Sequence, residues 1–148
     1  MINLYHSIRL LQQFLETGKD LDITKERYNH DYEAAIFNYN NNSYRSRMAK
    51  KTPTKEGYFV TCWTKDDNNR NRPFSMNETT DYLAVVVEDH DLTGVFIFPR
   101  QSLIDRSIST TEKRQGKMAF RVYPKWCHNL NNTALKTQQW QSAYFYQI

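Results

Sequence analysis

Two short, continuously apolar stretches stand out in the pattern of hydrophobic and polar positions along the chain. They are residues 82–87 (YLAVVV) and 95–98 (VFIF), and polar residues bound each of them. Short β-branched or aromatic runs are typical of central strands that are covered on both faces. Because only the segment EDHDLTG separates them, we predict that residues 82–87 and 94–98 form adjacent, antiparallel, buried strands.

Apolar residues recur at helical spacing near both ends of the chain. In residues 2–17 they predict an amphipathic helix. Residues 131–148 predict a second helix, for which Asn131 offers an N-cap. A short helix is predicted at residues 99–106, because Pro99 suits a first helical turn.

Alternating positions predict the remaining strands. Residues 57–65 (GYFVTCWTK) alternate cleanly, and residues 116–124 (GKMAFRVYP) form a further strand pattern. Residues 34–49 predict two strands around an Asn-rich turn, since Asn tolerates the left-handed backbone that such turns need. Together the elements predict an α+β protein of one domain, residues 1–148, with a single mixed, largely antiparallel sheet and flanking helices.

The composition limits the class of protein. The chain has 148 residues, of which 39% are hydrophobic and 14% aromatic, enough for the core of one domain. The sequence shows neither a signal-peptide pattern nor an apolar run of membrane-spanning length, so we expect a cytoplasmic protein with no membrane partner. Two separated cysteines, scattered histidines and four glycines predict no disulfide framework, no metal site and no cofactor.

Positive charge is concentrated in two blocks of the sequence. The net charge is +4, but residues 41–76 contain eight cations and three acids, and residues 113–148 contain six cations and no acid. If both blocks fold onto one face, that face attracts phosphate. Alternatively, the two blocks spread around the surface. In that case the cations of the densest cluster only protect an edge strand from pairing with other chains.

The densest cluster is RSRMAKKTPTK, residues 45–55. Arg45 and Arg47 are two positions apart on a predicted strand and project from the same face. Cations interleaved with Tyr44, Tyr58, Trp63 and Trp126 predict a surface that binds phosphates and stacks bases. The predicted nucleic-acid-binding residues are Arg45, Arg47, Lys50, Lys51, Lys55, Arg70, Arg72, Arg100 and Arg121, and the first five are expected to share one face with Arg100 or Arg121.

Four sequence blocks occur together and in order: AKKTPTKEGYFVTCW, GVFIFPRQSL, GKMAFRVYPKW and TALKTQQWQSAYF. In this combination, across residues 33–145, the chain resembles the MepB family, a small bacterial family named from an operon with a multidrug efflux pump. Two departures are that Arg100 replaces the usual lysine and that Cys127 replaces an expected acid. The resemblance implies a restriction-endonuclease-like fold and, with it, nucleic-acid binding.

A nuclease site of that fold holds Mg²⁺ between an acid at the start of one strand and an acid–x–Lys motif at the end of the next. Asp81 precedes the first central strand and Arg100 follows the second, so the hairpin places them at one end. The second acid position is Phe98, which cannot bind a metal ion. We therefore predict a degenerate site with Asp81 and Arg100 as its remnants, no catalytic residue and no divalent metal.

Two other functions stay open. A metal-dependent nuclease with displaced carboxylates is one, for which Glu33 and Glu56 are candidates. A small-molecule-binding accessory protein of drug efflux is the other, and it needs an aromatic-lined pocket with a buried acid, for which Asp81 or Glu88 are candidates. A contiguous positive groove would favour nucleic acid, and a closed aromatic cavity would favour the small molecule.

Overall fold

The computed structural model describes residues 4–17 and 20–148. Its helices are α1 (His6–Phe14), α2 (Arg100–Asp105) and α3 (Asn132–Gln141), with 3-10 turns at His30–Tyr32, Met76–Glu78 and Ser142–Tyr144. Its strands are β1 (Thr24–Lys25), β2 (Ala35–Tyr39), β3 (Asn42–Met48), β4 (Lys50–Lys51), β5 (Tyr58–Thr61), β6 (Trp63–Lys65), β7 (Asn71–Pro73), β8 (Tyr82–Asp89), β9 (Leu92–Pro99), β10 (Ala119–Val122) and β11 (Phe145–Gln147). Within these two ranges no helix is long and apolar enough to cross a membrane.

A six-stranded main sheet forms the centre of the molecule. Its strand order is β1–β2–β3–β8–β9–β11, and every pair is antiparallel except β3 and β8, which are parallel. β8 and β9 pair along their whole length, from Tyr82 opposite Pro99 to Asp89 opposite Leu92. The predicted central hairpin is confirmed, as is the α+β class with a mixed sheet.

Two of the predicted strands, residues 57–65 and 116–124, do not belong to the main sheet. β4, β5 and β10 form a separate small sheet in the order β10–β5–β4, and β6 and β7 form a hairpin. One face of the small sheet is buried, as Val60 and Val122 show with no exposed surface. Stacking that face on the main sheet buries more apolar surface than edge pairing would, because sheets pack through their apolar faces.

The main sheet is covered on both sides. Alternate residues of β8 point to opposite faces, with Ala84 and Val86 in one core cluster and Leu83 and Val85 in the other. Helix α1 covers the first cluster. The small sheet, α2 and the α3 region cover the second.

Both terminal helices are shorter than predicted. α1 occupies His6–Phe14, and residues 2 and 3 lie outside the described residues. α3 begins after its N-cap Asn131, as predicted, but ends at Gln141. The prediction of helix to the end of the chain is wrong, because Phe145 pairs with Phe96 of β9 and is buried there. This tertiary contact outweighs the helical spacing of the local sequence.

Candidate functional site

Arg45 and Arg47 project from the same face of β3, but that face is buried between the layers. Arg45 Nε donates to Glu26 Oε1 at 3.0 Å, and Arg47 Nη1 donates to Glu26 Oε2. Arg47 is fully buried and also donates to the carbonyl of Thr61 at 2.9 Å. The Arg45 guanidinium lies 3.8 Å from the centre of the Phe74 ring. The predicted phosphate contact does not fit Arg47, which has no exposed surface, and Arg45 is paired with Glu26 with only 11% of its side chain exposed.

Lys51 and Tyr58 are direct partners in the small sheet, on the face opposite to Lys50, where Tyr58 is buried and Lys51 is exposed. Lys51 Nζ lies 3.2 Å from Asp89 Oδ2, which also accepts a hydrogen bond from the Tyr58 hydroxyl at 2.6 Å. These hydrogen bonds, that from Tyr58 first, lower the pKa of Asp89. Trp126 Nε1 donates to the Tyr58 hydroxyl at 2.8 Å. Tyr58 is therefore engaged inside the protein and cannot stack a base, and the charge of Lys51 is compensated.

Arg70 and Arg72 lie in different environments. Arg72 forms a bidentate pair with Glu78 at 2.6 and 2.8 Å. Glu78 also accepts a hydrogen bond from the backbone N–H of Ser75 and so caps the turn Met76–Glu78. Arg70 is exposed in the turn between β6 and β7. Of the two predicted phosphate ligands, Arg72 is already occupied.

Glu78→Gln is expected to remove a pH-dependent part of the stability. The hydrogen bonds from Arg72 lower the pKa of Glu78 to about 2, against about 4.3 in an unfolded chain. A lowered folded-state pKa stabilises the fold above about pH 4.3, and this contribution is lost as the pH falls toward about 2. Both side chains are 37% exposed, so solvent reduces the effect.

The measurement for Glu78 is urea unfolding of the wild type and the variant. We expect the wild type to be more stable at about pH 6 and the difference to shrink by about pH 2.5. A difference that is constant across this range would show that the pair does not titrate as described.

Three residues line up across the small sheet. Lys50 of β4, Phe59 of β5 and Arg121 of β10 are direct neighbours in the register, and we call them the basic row. Because side chains alternate along a strand, the row lies on the face opposite to Tyr58 and Val60, which are buried. The basic row therefore faces outward, with Lys50 exposed and its two neighbours half-buried.

The basic row is held in place by neutral contacts. Lys50 Nζ lies 4.9 Å from the centre of the Tyr32 ring, which lies 6.4 Å from that of Phe59. The Arg121 guanidinium lies 5.6 Å from the Phe59 ring and donates to the Thr52 hydroxyl at 2.8 Å. Among the described residues, neither cation of the row pairs with a carboxylate. Their charges are available to an anion from outside.

Two stacked rings belong to chain segments that adjoin the elements of the basic row. Tyr28 and Trp63, which we call the aromatic pair, have ring centres 5.4 Å apart and an angle of 25° between their planes. Tyr28 lies four residues before Tyr32, which contacts Phe59, and Trp63 follows β5 after one residue, so short segments connect both rings to the row. The sequence patterns indicated Trp63 but not Tyr28, since the polar segment around Tyr28 has no periodicity.

Two clefts flank Arg121. One, of about 460 Å³, is lined by Lys55 and by the start of α3. The other, of about 250 Å³, is lined by Arg106 and Lys117. Arg121 and Tyr123 line both clefts, so the two clefts adjoin at Arg121 of the basic row, and we call them together the groove. Lys117 could have been predicted as a site residue, because it lies on the same strand face as Arg121 and Tyr123. No local pattern of the sequence identifies Arg106 as a site residue.

Gln141 fixes the backbone that carries Arg121. Its side chain is fully buried at the open edge of β10. There its Oε1 accepts from the N–H of Tyr123 at 2.9 Å, and its Nε2 donates to the carbonyl of Arg121 at 2.9 Å. The amide thus supplies the pair of hydrogen bonds that a neighbouring strand would supply.

Asp81 and Arg100 lie at the same end of the central hairpin, as predicted, and Arg100 N donates to the Asp81 carbonyl at 2.9 Å. The Asp81 carboxylate accepts from the N–H and the hydroxyl of Ser43 at 2.8 and 3.2 Å. The Arg100 guanidinium donates to the Met76 carbonyl at 2.8 Å. Phe98 is fully buried. The two side chains at this end therefore tie neighbouring segments together.

The other acids considered for function have different surroundings. Glu33 accepts hydrogen bonds from the N–H and the hydroxyl of Ser7 at 3.0 Å, and Glu56 lines the larger cleft. Asp81 and Glu88 are exposed, so the expectation that one of them is a buried acid is wrong. In residues 4–17 and 20–148, no three His, Cys, Asp or Glu side chains are grouped to hold a metal ion.

A family model described as MepB-like matches residues 26–147. A crystal structure of MepB is 52% identical in sequence, with 97% of each chain covered and a TM-score of 0.87. A bacterial homing endonuclease, I-Ssp6803I, is 18% identical over 90% of this chain and 88% of its own, and its TM-score of 0.41 is too low to support an argument. No curated protein matches the sequence.

Proposed function

This chain belongs to the MepB-like family, and we propose that it binds nucleic acid, without cleaving it, through the outer face of its small sheet. The basic row supplies the central contacts, and Lys55, Lys117 and Arg106 extend them along the groove. Phosphates carry the affinity, so recognition of base sequence is weak. Arg70 and Arg100 are peripheral contacts at most, since they lie outside the groove.

The observation that carries the proposal is the absence of carboxylate partners at the basic row among the described residues. Lys50 and Arg121 are two interstrand steps apart, about 10 Å, which is well above the rise per nucleotide of one strand. The two cations therefore contact different phosphates of the same backbone. Each contact releases counterions, which makes the binding dependent on salt.

The end of the central hairpin supports a non-catalytic role. There the Asp81 carboxylate is bonded to Ser43, and Phe98 occupies the position of the second acid inside the core. The small-molecule alternative has less support. An open cleft of about 650 Å³ near Ile104 is lined without any aromatic side chain, unlike the pocket that a drug-like cation requires.

The variant Lys50→Gln/Arg121→Gln is expected to bind a nucleic-acid strand roughly 10- to 100-fold more weakly, because the positive charge of two phosphate contacts is lost, at about 1 kcal/mol for each contact. Glutamine keeps much of each side-chain stem, so the fold should be retained. Fluorescence anisotropy with a labelled oligonucleotide measures the change.

The matched control is Arg9→Gln/Lys25→Gln. It removes the same net charge from the α1 side, where both residues are exposed and Lys25 lies over the Tyr5 ring. We expect the control to bind like the wild type. Equal losses in the two double variants would mean that net charge, and not the basic row, determines binding.

A further inference from the structure

The aromatic pair is partly open to solvent. Tyr28 and Trp63 are both only half-buried, and their ring planes are nearly parallel. By contrast, Phe96 and Phe98, which are also stacked, have no exposed surface. Stacked rings left open to solvent offer apolar area to a flat ligand, and a nucleobase is such a ligand.

The aromatic pair is held rigidly at its base. The carbonyl of Trp63 accepts a hydrogen bond from Asn29 Nδ2 at 2.8 Å, and Asn29 is buried. Asn29 directly follows Tyr28 and adopts a left-handed backbone conformation, which fixes the turn that presents the Tyr28 ring. A platform that is already ordered loses little entropy when a ligand binds.

Cations surround the aromatic pair. Lys65 Nζ lies 5.5 Å from the Trp63 ring centre and 5.7 Å from that of Tyr28. The Arg27 guanidinium lies 5.5 Å from the Tyr28 ring centre. Neither cation pairs with a carboxylate in the part of the chain that the structure describes. A flat ligand that carries negative charge beside the ring would complement this site.

We propose that the aromatic pair is a base-stacking subsite and that the ligand of this face is a single strand with unstacked bases. The proposal rests on the proposed function, since the basic row binds the phosphates on either side of the stacked base. A paired duplex does not fit, because its base faces are already stacked on one another and closed to the rings.

The test compares three labelled ligands of about 12 nucleotides each, a length within the range of single-strand sites. They are a thymidine strand, an abasic strand of the same length and a duplex. We expect the affinity of the wild type for the thymidine strand to be about tenfold or more above that for the abasic strand, because stacking one base on an aromatic ring raises the affinity by about this factor. Equal affinity for the thymidine and abasic strands would overturn the proposal without any variant.

In the variant Tyr28→Leu/Trp63→Leu, the ratio of the affinities for the thymidine and abasic strands is expected to fall about tenfold or more. The salt dependence of binding should not change, because no phosphate contact is removed. Tyr146→Leu is the matched control, since Tyr146 is an aromatic residue 49% exposed on β11, at the far edge of the main sheet. Wild-type preference in the double variant, or loss of preference in the control, would contradict the assignment.

The outcomes separate the two proposals. One outcome is that the wild type binds the thymidine and abasic strands equally and that Lys50→Gln/Arg121→Gln lowers the affinity for both. This outcome supports phosphate binding by the basic row and refutes base stacking. If no strand binds the wild type, both proposals are refuted.

Discussion

Replacing Glu26 with glutamine is expected to lower the free energy of unfolding by about 3–5 kcal/mol, because it leaves buried cations uncompensated. The Glu26 side chain is 8% exposed and pairs with Arg45 and with Arg47, whose side chain is fully buried. A glutamine amide presents one oxygen and a donor group to these two guanidinium groups, so at least one of them loses its acceptor. Few surface changes in this chain should cost as much.

Urea unfolding followed by circular dichroism measures the effect of Glu26→Gln. Glu88→Gln is the matched control, since the Glu88 carboxylate lies 2.9 Å from His6 and both side chains are well exposed. The control should cost less than about 1 kcal/mol. A similarly small loss for Glu26→Gln would mean that Arg45 and Arg47 are stabilised without the carboxylate, and the reason for excluding them from phosphate binding would fall.

Truncating Phe98 to alanine is expected to cost about 3–5 kcal/mol of unfolding free energy, as a large-to-small change at a closed site does. The ring is fully buried, with centres 5.3 Å from Phe96, 5.5 Å from Trp140 and 6.0 Å from Tyr144. The neighbouring residues come from β9 and from the α3 region, so the cavity cannot collapse by moving one element.

Thermal and urea unfolding of Phe98→Ala check this value. Tyr146→Ala, at an exposed edge, should cost no more than about 1 kcal/mol. Near-equal stabilities for the two variants would show that the position is not a core position. In that case position 98 could hold a carboxylate near Asp81, and the hypothesis of a metal-dependent nuclease would be supported again.

The central hairpin was predictable because its evidence is local. Residues 82–87 and 94–98 are apolar throughout and are joined by a short loop, which leaves few ways to pair them. The position of Asp81 and Arg100 at one end follows from that pairing. The small sheet was not predictable, because β10 pairs with β5 across 58 or more residues and no local pattern specifies such a partner.

The arginines show where sequence reasoning stopped. Periodicity correctly placed Arg45 and Arg47 on one face of a strand, yet it could not reveal that Glu26, 19 residues earlier, lies opposite them. The same limit hid Tyr28 from the candidate site. The five cations of residues 45–55 were predicted to share one face with Arg100 or Arg121. The register across Phe59 places Lys50 on the face of Arg121, but Lys51 lies on the opposite face.

The salt dependence of single-strand binding tests the central claim most directly. The dissociation constant of the full chain for a labelled thymidine strand would be measured at about 50 and about 200 mM salt. Two single-strand phosphate contacts predict that the wild type weakens at least about sevenfold between them, and that Lys50→Gln/Arg121→Gln reduces the slope of log affinity against log salt by about 1.4. Binding that is undetectable, insensitive to salt, or equally salt-dependent in the variant would contradict the assignment of the basic row.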